Sequence, residues 1–131
     1  MKLRLRGDSV RLRLLRSEVQ KLVKEGVVRE TVAFGAERAL VYTLEMAEGI
    51  DAIRATLDES LIRVLVPRQL TLRWADSDQV GMTADQSLPD GGSLHLLIEK
   101  DFQCLKPRTS SQWEDESDAF PNPNPSCGQP Q

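Results

Sequence analysis

The chain has 131 residues, 40 % hydrophobic and 28 % charged, which is the balance of a soluble globular domain with at most a tail. Its 17 basic and 20 acidic residues leave a net charge of −3, which excludes a strongly basic nucleic-acid binder. No apolar run reaches the ~20 residues of a membrane span, the charged opening Met1-Lys2-Leu3-Arg4-Leu5-Arg6 is not a signal peptide, and two cysteines make no disulfide framework, so a cytoplasmic protein without membrane attachment is expected.

The opening predicts an antiparallel hairpin. Leu3 and Leu5 share a buried face with Val10, Leu12 and Leu14 if Leu5 faces Val10 and Leu3 faces Leu12. Gly7-Asp8 is then a two-residue turn with glycine first, as a type II′ turn wants. A one-residue slip would turn the apolar face outward. Ser17-Glu18-Val19-Gln20 predicts a capping box with Ser17 as N-cap, and Gly26 ends the helix that Val19, Leu22 and Val23 mark. Strands follow over 27–34 and 40–46.

The second half repeats the plan. Ile53, Ala55 and Leu57 pair with Ile62, Val64 and Val66, with Leu57 opposite Ile62 and Glu59-Ser60 as the loop. Pro67 suits a helix start and Asp76-Ser77-Asp78 a stop. Leu70, Leu72 and Trp74 also alternate as a strand would, and the repeat favours helix. Strands over 80–84 and 94–99 close the unit. Val10–Leu14 aligns with Ile62–Val66 at an offset of 52, Arg16 with Arg68 and Thr31 with Thr83. With a two-residue insertion, Leu40–Glu45 falls on Leu94–Glu99. The expected fold is α+β over 1–105. It is built from two ββαββ repeats, about 1–49 and 50–100, with mainly antiparallel strands in a barrel-like or two-layer arrangement and two short helices. A Pro-rich acidic tail follows over 106–131, with five of the seven prolines, and is expected to be partly docked with a disordered end. Trp113 and Phe120 are its candidate anchors, onto the body or onto a partner.

Charge singles out the first hairpin. Residues 1–33 hold nine Lys/Arg and four Asp/Glu, and 34–131 hold eight and sixteen. The predicted register sets Arg4 opposite Arg11 and Lys2 opposite Arg13, and like charges face to face destabilise a sheet. Either acidic side chains from a neighbouring segment, such as Glu114 to Asp118, or a bound anion must compensate. Lys2, Arg4, Arg6, Arg11 and Arg13, with Arg108, are therefore candidate ligands for a phosphate or carboxylate. Only six aromatics occur in the chain, and none interleaves with the cations, which argues against nucleic acid. Triphosphate-tunnel enzymes also carry alternating basic strands, but their opening Glu-x-Glu-x-Lys strand is absent here.

His95, Glu99, Cys104 and Cys127 are the alternative chemistry. A thiol, an imidazole and a carboxylate (Cys104, His95, Glu99) are the elements of thiol catalysis. Alternating residues place His95 and Glu99 on one strand face, taken as about 7 Å apart. His95, Cys104 and Cys127 can also ligate one soft metal. The plainer reading is a surface histidine and a small apolar cysteine. No phosphate loop, dinucleotide fingerprint, zincin motif or nucleophile elbow is present, and no cofactor is expected.

The opening Lys2-Leu3-Arg4-Leu5-Arg6-Gly7-Asp8-Ser9-Val10-Arg11-Leu12-Arg13-Leu14 with Ser17-Glu18-Val19 resembles a group of small uncharacterised bacterial proteins. The close, Glu99-Lys100-Asp101-Phe102-Gln103-Cys104-Leu105 with Pro107-Arg108, Glu114 to Asp118 and Phe120-Pro121-Asn122-Pro123, resembles the same group. That resemblance covers the chain to about Asn124, implies no catalytic residue, and makes the tail part of the design, with Cys104 and Arg108 its most interesting residues. The expected function is a small non-enzymatic binding or accessory domain, acting on an unknown protein partner or a small anionic ligand.

Overall fold

The structure, a computed structural model, describes residues 1–102. Cys104, Arg108, Trp113, the acidic run 114–118, Phe120 and Cys127 lie outside the described residues, and so does the predicted tail. The elements are β1 (Lys2–Arg6), β2 (Ser9–Leu14), α1 (Arg16–Glu25), β3 (Val27–Gly35), β4 (Arg38–Ala47), β5 (Arg54–Asp58), β6 (Leu61–Pro67), α2 (Arg68–Ala75), β7 (Gly81–Ser87) and β8 (Ser93–Lys100).

Both predicted hairpins have the expected register. Leu3 pairs with Leu12 and Leu5 with Val10, while Ala55 pairs with Val64 and Leu57 with Ile62. The period-2 apolar pattern forces this, because any slip would expose one whole side of each strand. The first turn residues also agree. Gly7 has φ +52° and Glu59, at the corresponding place, has φ +55°. Glycine meets that backbone without cost, and a residue with a Cβ does not.

The strands form two open four-stranded sheets, β1-β2-β8-β7 and β3-β4-β6-β5. Neither is a barrel, which corrects the barrel-like alternative, and both are mixed. Their centres are parallel pairs, β2 with β8 and β4 with β6, and antiparallel hairpins flank them. Each sheet thus takes one hairpin from each half of the chain. The pairings correspond position by position. Val10 lies beside Leu96 and Leu12 beside Ile98, as Ile62 lies beside Tyr42 and Val64 beside Leu44.

Three local expectations need correction. Helix α1 starts two residues early, with Leu15 as N-cap. The carboxylate of Glu18, rather than the hydroxyl of Ser17, serves the end: Oε1 accepts from the Leu15 N–H at 2.8 Å. Leucine has no acceptor of its own, so only this half of a capping box exists. The second correction is to the alignment. Arg29 pairs with Thr43 and Thr83 with Leu97, so Arg29, not Thr31, holds the place of Thr83. The two-residue insertion precedes β7, in the longer link after α2. The third is to β5, which begins at Arg54, so buried Ile53 precedes the strand.

One core joins both sheets and both helices. Leu12, Leu14, Leu44, Val64, Val66, Leu96 and Ile98 come from the strands and Leu22 and Trp74 from the helices, all at most 2 % exposed. Burying each is worth roughly 1.5–3 kcal/mol. The polar atoms that go in with them are satisfied: Trp74 Nε1 donates to Val80 O at 3.1 Å and Thr71 Oγ1 to Pro67 O at 2.8 Å. The cap on α1 is Gly26, left-handed at φ +86°, as the pattern predicts.

The two turns supply a test. Glu59→Gly should raise unfolding stability by about 1 kcal/mol, and Gly7→Glu should lower it similarly. Urea unfolding of the two variants measures both. Equal midpoints would refute the strain assigned to Glu59.

Candidate functional site: the outer face of the first hairpin

Strand alternation places Lys2, Arg4, Arg6, Arg11 and Arg13 on the side of their sheet opposite the core leucines. The structure brings these residues together in the predicted register, with Arg4 paired with Arg11 and Lys2 with Arg13. Arg108 lies outside the described residues. Glu99, expected beside His95, compensates part of the charge instead. Parallel β8 lays Glu99 beside Arg13 and Leu97 beside Arg11. Arg11 Nε donates to Glu99 Oε1 at 2.8 Å, and Arg13 Nε and Nη2 donate to the same oxygen at 3.0 and 2.8 Å. Arg11 Nη2 makes a fourth bond to it. These side chains are 10, 20 and 13 % exposed for Arg11, Arg13 and Glu99, so the cluster is mostly desolvated. One carboxylate is shared between two guanidinium groups. Lys2 Nζ lies 3.5 Å from Asp101 Oδ2 at the exposed rim.

A counterpart exists in the other sheet. Arg63 corresponds to Arg11 and Glu45 to Glu99, and they form a bidentate pair: Nε to Oε2 at 3.0 Å and Nη2 to Oε1 at 2.9 Å. Thr43 Oγ1 adds a bond to Glu45 Oε2 at 2.7 Å. The Arg63 bond draws the Glu45 carboxyl below its ordinary 4.5, against the opposing effect of burial. This pair stands alone, because Leu65 occupies the place of Arg13.

The His95–Glu99 idea needs correction. The two residues are four positions apart in β8, about 13 Å at ~3.3 Å per residue, not 7 Å. They also serve different partners. His95 Nδ1 meets Asp85 Oδ1 at 2.6 Å across the β7–β8 ladder, and Glu99 is held by the arginines. Cys104 and Cys127 lie outside the described residues, so their pairing with His95 is not placed. Among the described residues no group of three His, Cys, Asp or Glu is set to hold a metal, and no helix is long and apolar enough to cross a membrane. An open cleft of about 500 Å³ between the helices is lined by Val19, Gln20, Val23, Leu72, Ala75 and Asp76.

One constellation had no signal in the sequence. The Met1 ammonium, partly buried, is bonded to Glu18 and, at 2.6 Å, to Glu30 Oε2. Tyr42 Oη donates to Met1 O at 2.7 Å. The cluster ties the start of β1 to α1, β3 and β4. Burial alone would lower the pKa of the amine, but the bonds and charges of Glu18 and Glu30 outweigh it and raise the pKa above 8.0. Burial alone would raise Glu18, but the ammonium and the Leu15 N–H hold it below 4.5. Burial, then the charges of Glu30 and Glu18, raise Tyr42.

An α+β protein with two mixed sheets, one of them cationic on its outer face, is the class that this fold and site define. The family described as "Family of unknown function (DUF7009)" matches residues 1–124, and the chain belongs to it. No curated protein and no solved structure matches the chain.

Two measurements check the site. The stabilisation from the Met1 clamp should be complete between about pH 4.5 and 8, where both partners are charged. It should fade as pH falls through the lowered pKa of Glu18 and as pH rises through the raised pKa of the amine. Acetylating the α-amine should remove it, so urea midpoints of acetylated and free chain should differ most near neutrality. Separately, Glu99→Gln should cost about 3 kcal/mol, because it removes the negative charge that two mostly desolvated guanidinium groups share. Glu45→Gln should cost less, since the Arg63 side chain is 44 % exposed. Equal losses would contradict the burial argument.

Proposed function

We propose that this protein is a non-enzymatic binding domain that recognises an acidic segment of a protein partner on the outer face of β1 and β2. The reading rests on a comparison within the chain. The first hairpin carries Lys2, Arg4, Arg6, Arg11 and Arg13 where the second carries Arg54, Thr56, Asp58, Arg63 and Leu65. We take the halves as a duplication, which the matched element order and ladder registers support. On that reading, the Arg11–Glu99 pair is the shared structural element, since Arg63–Glu45 repeats it. Arg4, Arg6 and Arg13 are what the first hairpin adds, since Arg54 holds the place of Lys2, and the fold does not need them to hold the second sheet together. Clustered cations raise the local concentration of an anionic partner even on a chain of net negative charge. Arginine forks suit carboxylates.

A phosphorylated or carboxylate small molecule is the second reading, because the same forks fit it. The test titrates the full chain with a glutamate-rich peptide and, separately, with pyrophosphate, by fluorescence anisotropy and calorimetry. Peptide binding should weaken at least tenfold in Arg4→Glu and stay unchanged in Arg54→Glu, and it should fall with added salt. Pyrophosphate binding without peptide binding would favour the small anion. Equal loss in both variants, or no binding of either probe, would overturn the cationic face as the recognition surface.

A further inference from the structure

We infer that the outer edge of β1 receives the partner segment by strand addition, and that the preferred segment alternates acidic and apolar residues. This deepens the reading above and rests on it. β1 is the last strand of its sheet. Its two-residue turn closes on the pair Arg6–Ser9, so Lys2, Arg4 and Arg6 exchange ladder bonds with β2. Leu3 and Leu5, at the intervening pairs, turn their N–H and C=O away from β2.

The other half of the chain confirms that geometry and shows how such an edge is capped. Ala55 holds in β5 the place of Leu3 in β1, and its peptide groups also face outward. There the Gln86 side chain meets both: Ala55 N–H donates to Oε1 at 2.6 Å and Nε2 donates to Ala55 O at 3.0 Å. The amide stands in for a strand. Val32 holds the place of Gln86 in β3 (Val28 to Val32 runs parallel in register to Met82 to Gln86) and has no hydrogen-bonding group. Among the described residues, nothing meets the outward N–H and C=O of Leu3 and Leu5.

The side chains at this edge define the occupant. Lys2, Arg4 and Arg6 project to the outer face, and acidic residues on an added strand would stand beside them. Leu5 projects to the core side and is 55 % exposed, and on β3 Val32 and Phe34 are 41 and 71 % exposed. β3 is tied to the start of β1 through Met1 and Glu30. Apolar residues of the added strand would cover this margin. A second copy is disfavoured, because two β1 edges side by side bring Lys2, Arg4 and Arg6 against their own kind, which is how edge strands resist self-pairing. Main-chain bonds then give affinity, and the alternation gives specificity.

The test uses the full chain with three heptapeptides: one alternating glutamate and valine, one of the same composition in two blocks, and the alternating one N-methylated at every second residue. The alternating peptide should bind at least tenfold more tightly than the other two. It should slow hydrogen exchange at the Leu3 and Leu5 amides. Val32→Gln, which installs the amide that Gln86 supplies elsewhere, should weaken its binding about tenfold. Equal affinity for the three peptides, or unchanged exchange at Leu3 and Leu5, would overturn strand addition while leaving the acidic-segment reading intact. No binding by any peptide would overturn both.

Discussion

Two parallel strand contacts, β2 against β8 and β4 against β6, carry the architecture. Each sits at the centre of a sheet, and each joins one half of the chain to the other. The local hairpins supply the outer strands, but a two-stranded hairpin is at best marginally stable by itself. The core exists only because the central pairs bring the leucines of the first half against those of the second. Helices α1 and α2 bury Leu22 and Trp74 in that shared core, so they too depend on the pairing.

The same contacts create the site. Without β8 beside β2, Arg11 and Arg13 would face Arg4 and Lys2 with no carboxylate at hand. With it, Glu99 accepts four donors on one oxygen and lets two arginines lie mostly out of water. In the other sheet the equivalent carboxylate serves one arginine, and the surroundings are a leucine and a threonine. The two sheets solve one packing problem with one device. The first sheet sets a second arginine, Arg13, on the same carboxylate.

The parts readable from sequence were those governed by short-range pattern. Leu3, Leu5, Val10 and Leu12 fix one hairpin register, and Ala55, Leu57, Ile62 and Val64 fix the other, because a period of two allows no compromise. Gly26 and Pro67 bound the helices for reasons of backbone conformation alone. Long-range features were not readable. No local pattern says that β2 lies parallel to β8, so Glu99 was read as a partner for His95 instead of for Arg11 and Arg13. The Met1 clamp joins an amine that no side-chain letter denotes to two glutamates seventeen and twenty-nine residues away. The misplaced N-cap has a smaller cause: a serine is the usual choice, but Glu18 reaches back from within the helix and makes the hydroxyl unnecessary. The thiol idea needs Cys104, and the metal idea Cys104 and Cys127, which lie outside the described residues.

Because every sheet borrows a hairpin from each half, the first fifty residues cannot complete any layer alone. While the chain is being made, the inner edge of β4 waits for a partner twenty residues further on, in β6, and that of β2 for one eighty-six residues further on, in β8. Pairing across such separations is slow, since closing the loop costs entropy before any contact repays it. The same arrangement makes the halves interchangeable between molecules. Two chains at high concentration can each satisfy the other's unfilled edges, so exchange of halves is the natural misassembly of this fold.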